Sequence, residues 1–281
     1  MFEISSQTKK VKITILGISF VLTLLLCGCV NTSSQQIGRD IVRARYQELS
    51  QAGTPEKIVD EYSRDVLVKE APVFFPYHAS YKGLHVYSDM PFKESDAVPI
   101  LTEVHLRLSD SPIYKPERER SAFICHTEWK EKYYLGGLGK IGGRAYLHAA
   151  PHVFFTKADI KEDALISPRG RPIAAPRTLT YYLAHEFTHV VLGEHLGMAR
   201  FEALPDWVFE GYPDFVGLGP GYTAAKARDA YENRDPRVNG TMAEDYMRYG
   251  LMVATFLEKS DVNTLLTAPP AKSSFDGLFQ K

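Results

Sequence analysis

The chain has 281 residues, 44% of them hydrophobic and 24% charged, with a net charge of −1. That length buries a sizeable core in one large domain or two small ones. A near-neutral balance, with no basic run beyond the N-terminus and no strongly acidic tail, gives nucleic acid nothing to bind.

The first segment stands apart from the fold. Lys9, Lys10 and Lys12 precede an uncharged apolar run over 13–26. That run is shorter than the roughly 20 residues a membrane-spanning helix needs and has the pattern of a secretion signal. It ends in Leu26-Cys27-Gly28-Cys29. These residues resemble the lipobox of bacterial lipoproteins, in which cleavage precedes a cysteine that receives lipid. Gly28 is the small residue before the cut, which makes Cys29 the lipidated position. The competing reading is an uncleaved N-terminal anchor helix, and either places the bulk of the chain outside the cytoplasm. The expected organisation is a signal peptide over 1–28, a polar tether over 29–36 and a single domain over 37–281. Val30 is not the aspartate that retains lipoproteins at the inner membrane, so a Gram-negative source implies the periplasmic face of the outer membrane. Cys125, in the run Ala-Phe-Ile-Cys, reads as a buried core thiol, leaving the mature domain without an internal disulfide.

Residues 37–53 carry apolar positions at helical spacing and end in Gly53; a second helix is expected from Thr54-Pro55 through Leu67. Strands are expected at 84–89, 121–129 and 145–157, each rich in aromatic or β-branched residues. The glycine-rich stretch 135–143 lacks the G-x-G-x-x-G spacing of a phosphate loop and reads as a flexible turn. A helix is expected from about Leu179 to Leu192, with Leu179, Tyr182, Leu183, Val190 and Val191 on its buried face and Gly193 as terminator. A further helix follows over 205–217, with Asp206 as its N-cap. Residues 219–240 read as loop, 241–260 as a helix capped by Thr241, and the tail with Pro269-Pro270 as loosely ordered. The fold class expected is α+β: a small mixed sheet, then the motif helix and further helices.

The motif is His185-Glu186-Phe187-Thr188-His189, an H-E-x-x-H pattern. Residues four apart on a helix share a face, so two imidazoles can converge on one point. Zinc suits neutral imidazole, and a catalytic site uses three protein ligands and keeps one position open. Glu186 adjoins the first ligand, where its carboxylate can act as a general base toward water. The alternative is a set of ordinary polar residues on a solvated helix face. The flanking Tyr181-Tyr182-Leu183-Ala184 and Val190-Val191-Leu192 weigh against it, because they bury the helix and leave its polar groups in need of partners.

Two residues compete as third ligand. His195 lies six positions past His189, the metzincin distance, but that pattern needs glycine where Leu192 stands. Gly193 comes one residue late, which swings the chain exit by about 100°. His195 therefore reads as a surface residue after the helix end. Glu210 lies 21 residues past His189 in Trp207-Val208-Phe209-Glu210-Gly211. With Leu204, Pro205 and Phe215, this block resembles the W-x-x-E-G signature of the gluzincins, the thermolysin-like group of zinc metallopeptidases in the peptidase MA superfamily. The resemblance covers roughly 120–260 and rests mainly on the two motifs. It implies a zincin-like peptidase domain in which His185, His189 and Glu210 hold zinc. It also implies that Trp207 and Gly211 let two helices pack closely, and that the last strand edges the cleft and pairs with an extended substrate.

The resemblance makes Asp214 an acceptor for a ligand histidine's outer N–H; a solvated surface aspartate is the other reading. Pro213 predicts a kink between Glu210 and Asp214. The stretch 145–155 is the expected cleft edge. His148 and His152 upon it, about 13 Å apart on one strand face, read as structural or substrate-facing rather than as ligands. Tyr246 and Tyr249 are open as core aromatics or as donors to a developing oxyanion, with core packing favoured. The activity implied is zinc-dependent peptide-bond hydrolysis at the cell envelope on peptide or protein substrates. The alternative is a lipid-anchored, non-hydrolytic scaffold or chaperone that keeps the fold. A metallohydrolase acting on something other than peptide is a second rival. The G-x-M-E-N motif of one aminopeptidase branch is absent.

Overall fold

A computed structural model describes residues 44, 47, 48, 64–135, 142–147, 150–167, 170–173 and 175–280. The lipobox with Cys29, the tether, residues 136–141 of the glycine-rich turn and His148 lie outside these. Two compact units divide the chain at Phe74/Phe75. In the first, Ala44, Gln47 and Glu48 are helical. It ends in α1 (Arg64–Lys69) and α2 (Ala71–Phe74); of the helix expected over 54–67 only the end is among the described residues, and α1 carries it to Lys69. No helix among the described residues is long and apolar enough to cross a membrane.

The second unit mixes helices with a five-stranded sheet. Strands β1 (Tyr77–Tyr81), β2 (Leu84–Ser88), β3 (Arg120–Ile124), β4 (Gly143–Tyr146) and β5 (His152–Phe155) lie in the order β1-β2-β3-β5-β4. Pairs β2/β3 and β3/β5 are parallel; β1/β2 and β4/β5 are antiparallel. Strand β3 is buried at all five positions because both faces of the sheet are covered. One face presents Val86, Ala122, Ile124, Val153 and Phe155 to the main core. The other carries a row of stacked rings, Tyr87–Phe123–Phe154–Tyr134, with centroids 5.0, 4.9 and 4.3 Å apart.

Helix α3 (Glu94–Ser109) buries Ala97, Ile100, Leu101, Val104 and Leu108. Helix α4 (Glu128–Leu135) supplies Tyr134 to the ring stack. The expected strand over 145–157 is instead a hairpin. Its first part belongs to β4 on the edge of the sheet and its second is the inner strand β5. A short pair, β6 (Ala158–Asp159) and β7 (Ala164–Leu165), then leads toward the motif helix.

That helix, α5 (Leu179–Leu196), buries fourteen of its eighteen residues. Thr178 caps it by accepting from the Tyr181 N–H, and Asp163 accepts from both the N–H and the hydroxyl of Thr180 at 2.7 and 2.9 Å. It does not end at Gly193. A Cβ at Gly193 would lie 3.1 Å from Leu147, so the glycine admits the strand connection against the helix. The helix stops at Gly197, whose φ of 74° few other residues adopt readily.

The expected second helix is two: α7 (Asp206–Phe209) and α8 (Gly211–Leu218), after a short α6 (Met198–Glu202). Pro205, not Asp206, is the N-cap of α7. Pro213 accounts for the break, since its ring excludes the Phe209 carbonyl four residues back. The discontinuity falls at Glu210 itself rather than after it, and the Asp214 N–H still reaches the Glu210 carbonyl at 3.0 Å. Helix α9 (Ala224–Glu232) occupies a stretch expected as loop, capped by Thr223. Helix α10 (Met242–Leu257) begins after Thr241, as expected, though the Thr241 side chain makes no capping bond. The tail is ordered, with α11 (Val262–Thr267) and a 3-10 turn (Lys272–Leu278) that packs Phe275 against Trp207 at 5.1 Å.

Candidate metal centre

Helix α5 places His185 and His189 one turn apart, with their Nε2 atoms 3.3 Å from each other. The break between α7 and α8 delivers Glu210 opposite them. Its Oε2 lies 3.4 Å from His185 Nε2 and 3.6 Å from His189 Nε2. Both histidines are buried and Glu210 is half-buried. This is the group of three metal-ligating side chains that the described residues bring together, with one donor atom each and all within 4.8 Å. His195 is not in it; it is exposed in the last turn of α5, not beyond the helix end.

The donor set fits a cation. Buried Nδ1 of His185, Nδ1 of His189 and Oε2 of Glu210 have no hydrogen-bond partner. The Nε2 atoms of the two histidines converge on Glu210 Oε2, which is buried without a hydrogen-bond partner, and a metal ion held among these three atoms supplies it with one. The electrostatics agree. Burial works against the charge of Glu210, but the two imidazoles outweigh it and hold this carboxyl well below its ordinary range. Burial also opposes charge on His189, and Glu210 with Glu186 outweighs it and raises the imidazole. Residues His185, His189 and Glu210 could therefore hold a metal ion.

Glu186 sits beside this group. Burial raises its carboxyl, the two histidines pull it down, and Glu210 adds to the rise. A carboxyl raised in this way stays a competent proton acceptor closer to neutral pH. Gly143, on edge strand β4, explains how the strand reaches it. A Cβ there would lie 2.8 Å from Glu186 Cγ, from Glu186 Oε1 and from Phe155 Cε1. The glycine-rich composition of this stretch reads as a flexible turn, yet Gly143 is where the edge strand closes on the Glu186 carboxylate.

The surrounding shell is aromatic. Tyr246 of α10 stands edge-on to the His185 ring at 5.6 Å, and Phe209 packs on His189 at 4.8 Å. Burial, then the Glu210 and Glu186 carboxylates, push the Tyr246 hydroxyl well above its ordinary value. Tyr249 turns elsewhere and accepts from Lys272 Nζ at 3.1 Å. A Cβ at Gly211 would lie 2.8 Å from the Tyr249 carbonyl oxygen, so Gly211 lets α8 and α10 touch backbone to backbone.

Asp214 is fully buried, not a solvated surface residue. Its Oδ1 accepts from Arg177 Nη2 at 2.9 Å and from the Tyr181 hydroxyl. It therefore meets the ligands at one remove, through Tyr181, whose ring lies 5.7 Å from that of His185. Gly250 makes room for it, since a Cβ there would lie 2.7 Å from Asp214 Oδ2. Arg177 has no signal in the sequence that marks it for this place. His152 is buried in β5, with its ring 4.9 Å from Phe123 on the sheet face of stacked rings. Cys125 is a buried free thiol, as expected. No protein-family model, curated protein or solved structure matches this chain.

Proposed function

We propose that the chain is a zinc-dependent metallopeptidase of the gluzincin kind, with a zincin-like domain carried on an N-terminal lipid anchor at Cys29 in the bacterial cell envelope. The observation that carries the reading is the meeting of His185, His189 and Glu210 beside a buried Glu186. A structural zinc site needs no such adjoining base and favours a closed shell of four ligands, often with cysteine. Zinc held by His185, His189 and Glu210 would supply a Lewis acid and lower the pKa of water.

The chain's own residues do the rest. Glu186 takes a proton from water and passes it to the leaving amine, helped by a burial that raises its carboxyl. Strand β4 offers its free edge to an extended peptide and, through Gly143, fixes that peptide's distance from Glu186. Tyr246 stands where its hydroxyl can donate to a developing oxyanion, because it faces His185 and both carboxylates. Asp214 and Tyr181 brace His185 from behind.

The test pairs metal content with cleavage of a peptide library by wild type and Glu186→Gln. The expected result is stoichiometric zinc in both and cleavage by wild type alone. Full proteolysis by Glu186→Gln sinks the mechanism.

A further inference from the structure

The direction of the edge strand can be read from three contacts along α5. A Cβ at Gly142 would lie 3.4 Å from Tyr182, one at Gly143 would lie 2.8 Å from Glu186, and one at Gly193 would lie 3.1 Å from Leu147. Strand β4 and helix α5 thus run the same way along the cleft. Antiparallel pairing is the commoner arrangement at a sheet edge. A peptide pairing so with β4 runs from the Gly193 end toward the Tyr182 end, and its residues after the scissile bond head for Tyr182.

Arg177 closes that end. It immediately precedes Thr178, the cap of α5. Its guanidinium lies 5.2 Å from the ring centroids of both Tyr181 and Tyr246. Asp214, fully buried, holds it through Nη2 at 2.9 Å. Nε and Nη1 make no hydrogen bond among the described residues, and the side chain keeps 16% of its surface accessible. A planar cation held at one nitrogen, with its other donors unbonded among the described residues, is the group that recognises a carboxylate with two hydrogen bonds.

We propose that Arg177 binds the C-terminal carboxylate of the substrate, which makes this a site that removes one or two residues from free C-termini. The proposal rests on the peptidase reading. The fragment length follows from register. The Arg177 guanidinium packs on Tyr181, which lies about 7.5 Å along α5 before Glu186, and each residue of an extended chain spans about 3.3 Å. The carboxylate therefore falls one or two residues past the scissile bond. The blander role for Arg177 is an internal ion pair that ties α8 to the start of α5, and that role predicts no preference among peptide ends.

Zinc-loaded Glu186→Gln protein, titrated calorimetrically with a short-peptide library and with the same library amidated at its C-terminus, separates the two. The acid form is expected to bind about tenfold or more tightly than the amide. Arg177→Gln combined with Asp214→Asn removes both charges of the ion pair, so neither is left buried alone. It is expected to bind both forms alike, and Arg177→Lys to recover part of the preference. Equal affinity for acid and amide, no measurable binding of either, or a preference that survives in the double variant overturns the proposal. Wild type failing to cleave any peptide defeats the peptidase reading separately, while the acid-to-amide comparison still decides the role of Arg177.

Discussion

Two buried clusters of charge in the second unit teach different things. In one, Asp89 and Lys130 are each 3% exposed and 3.7 Å apart. Asp89 accepts from the His126 N–H at 2.8 Å, the Thr127 N–H at 3.0 Å and the Thr127 hydroxyl at 2.6 Å. It ties the β3–α4 connection to the end of β2. In the other, His185 and His189 turn their Nε2 atoms on Glu210, whose buried Oε2 is left without a hydrogen-bond partner. Glu210 is more exposed than Asp89, at 28% against 3%, and yet it is the less satisfied of the two. A charge whose acceptors are filled by the chain is structure, and donors that face each other unfilled mark a place for a cation.

The comparison can be broken at its strongest point first. Glu186→Gln is expected to lower the peptidase rate by about 10²–10⁴-fold while leaving bound zinc unchanged, measured by cleavage assay and metal analysis. Gly143→Ala comes next, because its Cβ would stand 2.8 Å from the Glu186 carboxylate. Relieving that clash is expected to cost about 10²-fold in rate and, because the same Cβ also meets buried Phe155, about 1–3 kcal/mol of stability, with zinc content near that of wild type.

The satisfied cluster should fail differently. Asp89→Ala is expected to destabilise the fold by about 2 kcal/mol in denaturant unfolding, without touching zinc binding. Burial of Asp89 opposes its charge, but the Thr127 hydroxyl, Lys130 and two backbone N–H groups outweigh it and lower its carboxyl pKa. The sign follows: the stabilisation is complete above the unfolded value, about 3.9, and is lost as pH falls through the lower folded value. The wild type and Asp89→Ala stabilities therefore converge in acid. The smallest effect belongs to His195→Ala, which is expected to leave zinc content unchanged and to shift stability by less than about 0.5 kcal/mol.

The two motifs were legible because their chemistry is local. Spacing four on a helix fixes the relation of His185 to His189, and Glu210 sits in a block whose residue types announce it. Lengths and breaks were not legible, because neighbours decide them. Gly193 reads as a terminator until Leu147 is packed on it. Pro213 announces a break, but only the helix context puts that break at Glu210. The hairpin of β4 and β5 reads as one strand while its aromatic residues are weighed above Pro151, the break that stands directly before β5. The tail looks loose in sequence and is held by Phe275 on Trp207. Arg177 and Gly143 belong to stretches with no regular pattern, and only tertiary contacts give them roles.

Zinc analysis of wild type and His189→Ala, after zinc loading and exhaustive dialysis, decides whether His185, His189 and Glu210 hold a metal ion. Wild type is expected to keep one zinc per chain and His189→Ala to lose tight binding. A wild type that keeps no zinc, or a His189→Ala variant that keeps as much as wild type, would contradict a metal site there.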